Sequence, residues 1–266
     1  MEKNICIYTN NTHTSLNTER ILKKKLDNTG FNILPGYCDK ADLLVCIGGD
    51  GTFLEAIHKY DFPQMPIIGI NTGHLGFFQE IMPAQLDDLI FNYSHEQYTL
   101  QPLSTVKIDV KSEGRVYEHT GLNEVIIRGM DSYSVHLNMS IGGSFIERFS
   151  GDGLLVATPA GSTAYNYSLG GSIVDPRINL LQVTPMAPMN TTAYRAFTSS
   201  ILLPSELSLG IIPDMEQDAS ICVVYDGYSK EYPTVEEMTV GFSDTKINLM
   251  RFKNYDFWTK VKSKFL

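Results

Sequence analysis

The sequence predicts an α/β N-terminal domain with a parallel, Rossmann-like sheet, followed by a mostly antiparallel, β-rich C-terminal domain. Three observations predict it. Over residues 1–100 short apolar runs alternate with amphipathic helical patterns, as βαβ units do. Past Pro102 the texture changes to period-two alternation broken by glycine turns, as half-buried antiparallel strands require. The apolar run over residues 41–47 ends in Gly48-Gly49-Asp50-Gly51-Thr52. Such a run delivers a bare turn with an acid at its apex to a sheet's C-terminal edge, where open α/β sheets bind ligands.

Taken in order, residues 4–9 read as a strand and 16–26 as a charged helix capped by Thr14 or Ser15. Residues 31–34, 43–47 and 67–70 read as short strands, and 52–60 as a helix with Phe53, Ile57 and Tyr60 on one face. A loop over 71–77 precedes a helix over 83–92 that has Pro in its first turn. Strands follow at 104–111, 116–120, 124–128, 135–141 and 154–158, then at 207–212, 219–225, 234–241 and 246–252. Glu113-Gly114 and Gly142-Gly143 are turns between them. At the end, Phe257, Val261 and Phe265 stand at helical spacing, with lysines expected on the opposite, solvated face. The domains are therefore expected at 1–100 and 101–252.

Composition narrows the function. A chain of 266 residues with 43% hydrophobic and 19% charged residues can bury a sizeable core. Its net charge of −9 argues against bulk binding to nucleic acid or an anionic membrane. No apolar run reaches the length of a membrane span, and the N-terminal run is too short for a signal peptide. Cys6, Cys38, Cys46 and Cys222 lack metal-binding spacing and read as thiols of a reducing compartment, so a cytoplasmic location and no protein-held metal cluster are expected.

The Gly48–Thr52 turn suits phosphate. Its glycines let backbone N–H groups approach phosphate oxygens, and a helix starting near Thr52 points its positive end the same way. A plain turn is the competing reading, since Gly supplies positive φ and Asp bonds its own backbone. An acidic chain that handles polyphosphate must neutralise it locally, so Mg²⁺ or another divalent cation is expected. No Gly-x-Gly-x-x-Gly dinucleotide fingerprint is present.

A second constellation repeats the design. Gly151-Asp152-Gly153 precedes a strand, and Pro159-Ala160-Gly161 ends it. Ser162 or Thr163 then stands where an N-cap would open a helix through Tyr165 and Ser168, offering another helix N-terminus to a polar ligand. Asn123-Glu124 sets an amide beside a carboxylate, a pair suited to the vicinal hydroxyls of a ribose.

With these motifs in hand, the sequence resembles the NAD kinases, which phosphorylate NAD to NADP. The matching segments are Gly48–Thr52, Asn71–Phe77, Asn123-Glu124, the run GDGLLVATPAGSTAYNYSLGG over 151–171, Asp226-Gly227 and the closing Phe-Trp helix. The resemblance implies that residues 253–266 return to the first domain, and that the protein forms a homodimer or homotetramer. It implies Asp50 as the catalytic carboxylate, with Gly48, Gly49, Gly51 and Thr52 facing phosphates. Asn123 and Glu124 would hold the adenosine part of NAD. The remaining pocket, besides Asp50 and Gly51, would comprise Phe77, Ser150, Asp152, Ala160, Thr163, Ala164, Tyr165, Asn166, Ser168, Ala187 and Asp226. Two positions depart from the family pattern. Ser150 stands where some bacterial members carry Arg, and Ala160 where a hydroxyl residue is usual.

The implied reaction moves the γ-phosphoryl of ATP, or of another phosphate donor, onto the 2′-hydroxyl of the adenosine ribose. Asp50 would act as general base or hold Mg²⁺. Two rival readings stay open. Lipid kinases of the diacylglycerol type share the glycine turn but run directly into Asn-Glu, whereas Phe53-Leu54-Glu55 follow here. A non-catalytic NAD(P)-binding regulator would leave Asp50 dispensable.

Overall fold

The computed structural model describes residues 3–27, 29–190, 195–214 and 220–266. Contacts divide the chain into two compact units, 1–103 with 246–266, and 104–245.

The first unit opens with β1 (Asn4–Thr9), α1 (His13–Leu26), β2 (Asn32–Ile33), β3 (Leu43–Gly48) and α2 (Asp50–Lys59). It continues with β4 (Ile67–Asn71), β5 (Gln79–Ile81) and α3 (Leu86–Ser94), the last preceded by a 3₁₀ turn at Pro83–Gln85. Strands β2, β1, β3 and β4 lie side by side and parallel, and β5 joins β4 in the same sense. Every residue of β3 and β4 is buried, as expected of strands covered on both faces. The register pairs Thr9 with Ile47 and Gly48 with Asn71, so three strands end level at one edge. That edge carries the glycine turn. Ile5, Leu22, Val45, Ile47, Ile68, Ile70 and Leu89 form part of the core beneath it.

The chain leaves this unit within β6 (Thr99–Ser112). The second unit contains β7 (Arg115–Gly121), β8 (Glu124–Gly129), β9 (Val135–Ile141), β10 (Ser144–Gly151) and β11 (Gly153–Ala157). A one-turn α4 (Tyr165–Ser168), β12 (Leu180–Met186), β13 (Ile201–Pro204), β14 (Leu209–Pro213), β15 (Ile221–Tyr225) and β16 (Tyr228–Tyr232) follow. The chain returns to the first unit along β17 (Glu237–Arg251) and ends in α5 (Phe257–Phe265). One antiparallel sheet of the second unit runs β13-β12-β11-β8-β15-β16. Strands β10, β9 and β14 pair antiparallel with one another, β14 also pairs with β17, and β6 pairs with β7. Their shared core includes Val106, Ile127, Leu137, Phe149, Val156, Ile221 and Val240.

Several expected elements moved. Helix α1 starts at His13 and is capped by Thr12, whose hydroxyl accepts the Ser15 N–H at 3.3 Å; neither Thr14 nor Ser15 is the cap. Ser15 is buried and bonds Thr72 Oγ1 at 2.6 Å. Helix α2 starts at Asp50, ahead of Thr52. The expected strands over 234–241 and 246–252 are a single strand, β17, and the strand expected from residue 219 is seen from Ile221, residue 219 lying outside the described residues. Strand β10 escaped the sequence pattern because a bulge between Phe145 and Glu147 breaks its alternation. Strand β12 escaped because it contains Pro185.

Candidate active site

In the first unit the glycine turn, Asp50 and the 71–79 segment form one structure. Asp50 is the first residue of α2, where a carboxylate is favoured by the helix dipole. Its side chain turns toward the loop after β4. The Phe77 N–H donates to Oδ2 and the Phe78 N–H to Oδ1, both at 3.0 Å. Two donors in fixed directions hold the carboxylate in place, and its side chain remains 26% exposed. Lys264 Nζ on α5 lies 3.7 Å from Oδ2 and 5.0 Å from the centre of the Phe77 ring.

The glycines divide by role. None of Gly48, Gly49 and Gly51 has positive φ, so the plain-turn reading loses its reason for them. A Cβ at Gly48 would strike the Thr52 side chain at 2.2 Å, whereas Cβ atoms at Gly49 and Gly51 would meet nothing within 4 Å. The fold leaves open space there, beside the N-terminus of α2. Thr52 is buried, and its hydroxyl accepts from Asn10 Nδ2 at 3.0 Å. Gly76 is the glycine that Asp50 needs: a Cβ there would lie 2.3 Å from Oδ1 of Asp50 and 1.9 Å from Oε1 of Gln79. That Gln79 oxygen is buried with no partner among the described residues.

In the second unit the expected residues fall into two groups at opposite ends of β8. At its start, the Asp226 carboxylate accepts the N–H groups of Leu122 (2.6 Å), Asn123 (2.8 Å) and Glu124 (3.4 Å). Asp226-Gly227 is the tight turn joining β15 and β16, with φ of +47° and +90°. Gly161 packs so closely on this segment that a Cβ would meet Asn123 O at 1.9 Å. The Asn123 and Glu124 side chains are buried, yet Oδ1 of Asn123 and Oε2 of Glu124 have no partner among the described residues. Burial, and secondarily Asp226, pushes the Glu124 carboxyl up to about 8. At neutral pH it is therefore mostly protonated and can both donate and accept.

At the other end of β8, Asp152 and Tyr165 line a cavity of about 420 Å³ with Arg128, Asp131, Cys222 and Glu231. The two ends stand about 13 Å apart for four residues of extended chain. Ser150 is fully buried, and its hydroxyl also lacks a partner among the described residues. Ala187 is exposed with φ of +43°, an uncommon conformation for a residue with a Cβ.

The 160–168 segment differs from expectation. It is a 3₁₀ turn at Ala160–Thr163 followed by α4, and neither Ser162 nor Thr163 caps a helix. Ser162 Oγ donates to Pro159 O and accepts the Val174 N–H, while Thr163 Oγ1 bonds Ala160 O. The expected helix through Tyr165 and Ser168 is present as α4, but it begins after Ala164 and has no hydroxyl cap. Asn166 is fully buried with its amide used internally: Nδ2 donates to Ser162 O and Ser172 O, and Oδ1 accepts from Thr184. Ala164 is half-buried and Ser168 exposed.

Sequence reasoning missed Arg128, Gly76, Gln79 and the cations of the C-terminal segment. Lys260 and Lys264 are not opposite the apolar stripe. With Phe257, Val261 and Phe265 they make up an i, i+3, i+4, i+7, i+8 face, and this spacing was the available signal.

A glycine turn with open space at a helix N-terminus, and a second unit with buried polar groups awaiting partners, are what phosphate-bearing and hydroxyl-bearing ligands require. The ATP-NAD kinase N-terminal domain matches residues 4–98, and the ATP-NAD kinase C-terminal domain matches residues 122–252. An NAD kinase of Finegoldia magna is 39% identical over 99% of this chain and 98% of its own length. NAD kinase 1 of Oceanobacillus iheyensis is 36% identical over 85% of each. The chain therefore belongs to the NAD kinase family, a family of enzymes.

Two solved structures share the fold. A yeast NADH kinase complexed with NADH superposes with a TM-score of 0.87 at 19% identity, covering 99% of this chain and 87% of that one. An Archaeoglobus fulgidus NAD kinase in complex with ATP gives 0.75 at 23% identity, covering 99% of both.

Proposed function

We propose that this chain transfers the γ-phosphoryl group of ATP to the 2′-hydroxyl of the adenosine ribose of NAD, forming NADP and ADP. One observation carries the reading: a carboxylate fixed by two backbone N–H groups, beside glycines whose side-chain space is open. In the step, the ribose oxygen forms a bond to the γ-phosphorus as its proton passes to Asp50. The bond from the γ-phosphorus to its bridging oxygen breaks, and ADP leaves with that electron pair. General-base help is worth typically ~10²–10⁴-fold, and positioning with charge neutralisation carries most of phosphoryl transfer.

The Asn123 and Glu124 oxygens that lack partners among the described residues would receive ribose hydroxyls, and Arg128 with the Asp152–Tyr165 cavity would take the further part of an extended dinucleotide. Ser150 offers a buried hydroxyl where some relatives carry a cation. Among the described residues no three His, Cys, Asp or Glu side chains converge on a metal site. Mg²⁺ is proposed to arrive on the donor as Mg·ATP; orienting it would be the alternative role of Asp50 to accepting the proton. No helix among the described residues is long and apolar enough to cross a membrane. The four cysteines are free, which supports a cytoplasmic setting, and a homodimer or homotetramer is the proposed assembly.

The test is NADP formation by purified protein from NAD and Mg²⁺ with ATP, other nucleoside triphosphates or polyphosphate in turn. NADP should accumulate with ATP. Binding of NAD without NADP from any donor would point to the non-catalytic regulator.

A further inference from the structure

The Asp50 cradle is built from the N–H groups of Phe77 and Phe78, and the carbonyls of Phe77 and of the next residue along, Gln79, are gripped by the C-terminal segment. The Arg251 guanidinium donates to Phe77 O at 3.0 Å and is itself held by Glu80 Oε2 at 3.1 Å and Gln101 Oε1 at 2.8 Å. Lys260 Nζ donates to Gln79 O. Thus the carbonyls of residues 77 and 79 face cations, while the N–H groups of 77 and 78 face Asp50. Helix α5 is seated for this task. The Asp256 carboxylate caps it, accepting from Trp258 N and Thr259 N, and Phe257 and Val261 are buried, with the Phe257 ring 5.8 Å from that of Phe77.

We propose that Lys260 is a positioning residue for Asp50, acting through the Phe77–Gln79 backbone, so that the C-terminal helix sets the geometry of the phosphoryl-transfer step. This rests on the reading of Asp50 given above. The groups facing Lys260 are Arg251 from β17, Glu80 from β5, Asp50 from α2, Lys264 on its own helix, and the Tyr255 ring at 5.1 Å. Burial, then Arg251, lowers the Lys260 ammonium to about 8. Replacing Lys260 by an apolar side chain leaves Gln79 O without this donor and so costs some stability whatever the role of Lys260. A purely structural Lys260 would lose kcat only in proportion to Tm, whereas a positioning Lys260 loses kcat well beyond it.

The experiment compares Lys260→Met and Lys260→Arg with wild type in three readouts. For Lys260→Met at pH 7 the expected result is no more than a small loss of Tm, a kcat at least ~10-fold lower with KM for NAD within ~2-fold, and faster hydrogen exchange at the Phe77 and Phe78 amides alone. For Lys260→Arg, whose charge persists at high pH, kcat should recover, and any decline of wild-type kcat above about pH 8 should be reduced. Unchanged kcat together with unchanged Phe77 and Phe78 exchange overturns the proposal, as does a loss of Tm in proportion to the loss of kcat. The exchange readout needs no turnover. If wild type makes no NADP, the functional reading fails, while the coupling of Lys260 to the Asp50 cradle is still decided.

Discussion

The two acidic sites of this molecule are built in opposite ways. Asp50 has both oxygens bound by backbone N–H groups, and the loop that supplies them is held from behind by Arg251 and Lys260. Glu124 is buried with one oxygen lacking a partner among the described residues, beside an Asn123 in the same condition. A group that acts on a substrate atom gains from being fixed before the substrate arrives. A group that recognises a substrate must keep its hydrogen-bonding capacity free, and a protein holding such groups away from water gives up stability for it. On the proposed reading, the Asp50 site is preorganised and the Asn123–Glu124 site keeps its capacity for a ligand.

The largest break in that contrast comes from Asp50→Asn. It should leave the fold intact and lower turnover by roughly 10²-fold or more, because it removes the base and also sets an amide NH2 against one of the Phe77 and Phe78 N–H donors. Next come two glycine substitutions. Gly76→Ala pushes a Cβ against Asp50 and Gln79, so turnover should fall by at least ~10-fold with NAD affinity preserved; Gly161→Ala pushes against Asn123 O, so NAD affinity should fall first. Steady-state kinetics beside NAD titrations separate the two outcomes.

A smaller effect sharpens the second site. The Glu124 carboxyl is raised from 4.5 in the unfolded chain to about 8 in the fold. Between those values the folded state binds the extra proton, so this contribution is complete below about pH 4.5 and is lost as pH rises through 8. Melting temperature should therefore decline from pH 5 to pH 8 in wild type, and the decline should be shallower in Glu124→Gln by roughly 5 °C. The smallest effect lies outside both sites. Thr12→Ala removes the cap of α1, costing about 1 kcal/mol by denaturant titration with turnover unchanged.

How much of this the sequence disclosed follows from what side chains can signal. The parallel and antiparallel parts were legible because β3 and β4 read as continuous apolar runs, whereas β6 and β9 alternate. Strands β10 and β12 were not legible, since a bulge and a proline erase the period that marks a strand. The acid was legible at Asp50, but its donors were not, because the N–H groups of Phe77 and Phe78 have no side-chain signature. Thr163 resembled a helix cap by residue type, yet the chain there makes a 3₁₀ turn closed by Ala164 N–H to Gly161 O. Lys260 resembled a solvated lysine because its long apolar stem lets the ammonium reach inward from the edge of an apolar face.

The most direct measurement is the NAD dissociation constant of Asp50→Asn set beside its single-turnover rate with Mg·ATP. Near wild-type binding is expected, with transfer slowed by roughly 10²-fold or more. Near wild-type transfer in that variant would contradict it, whatever the binding constant.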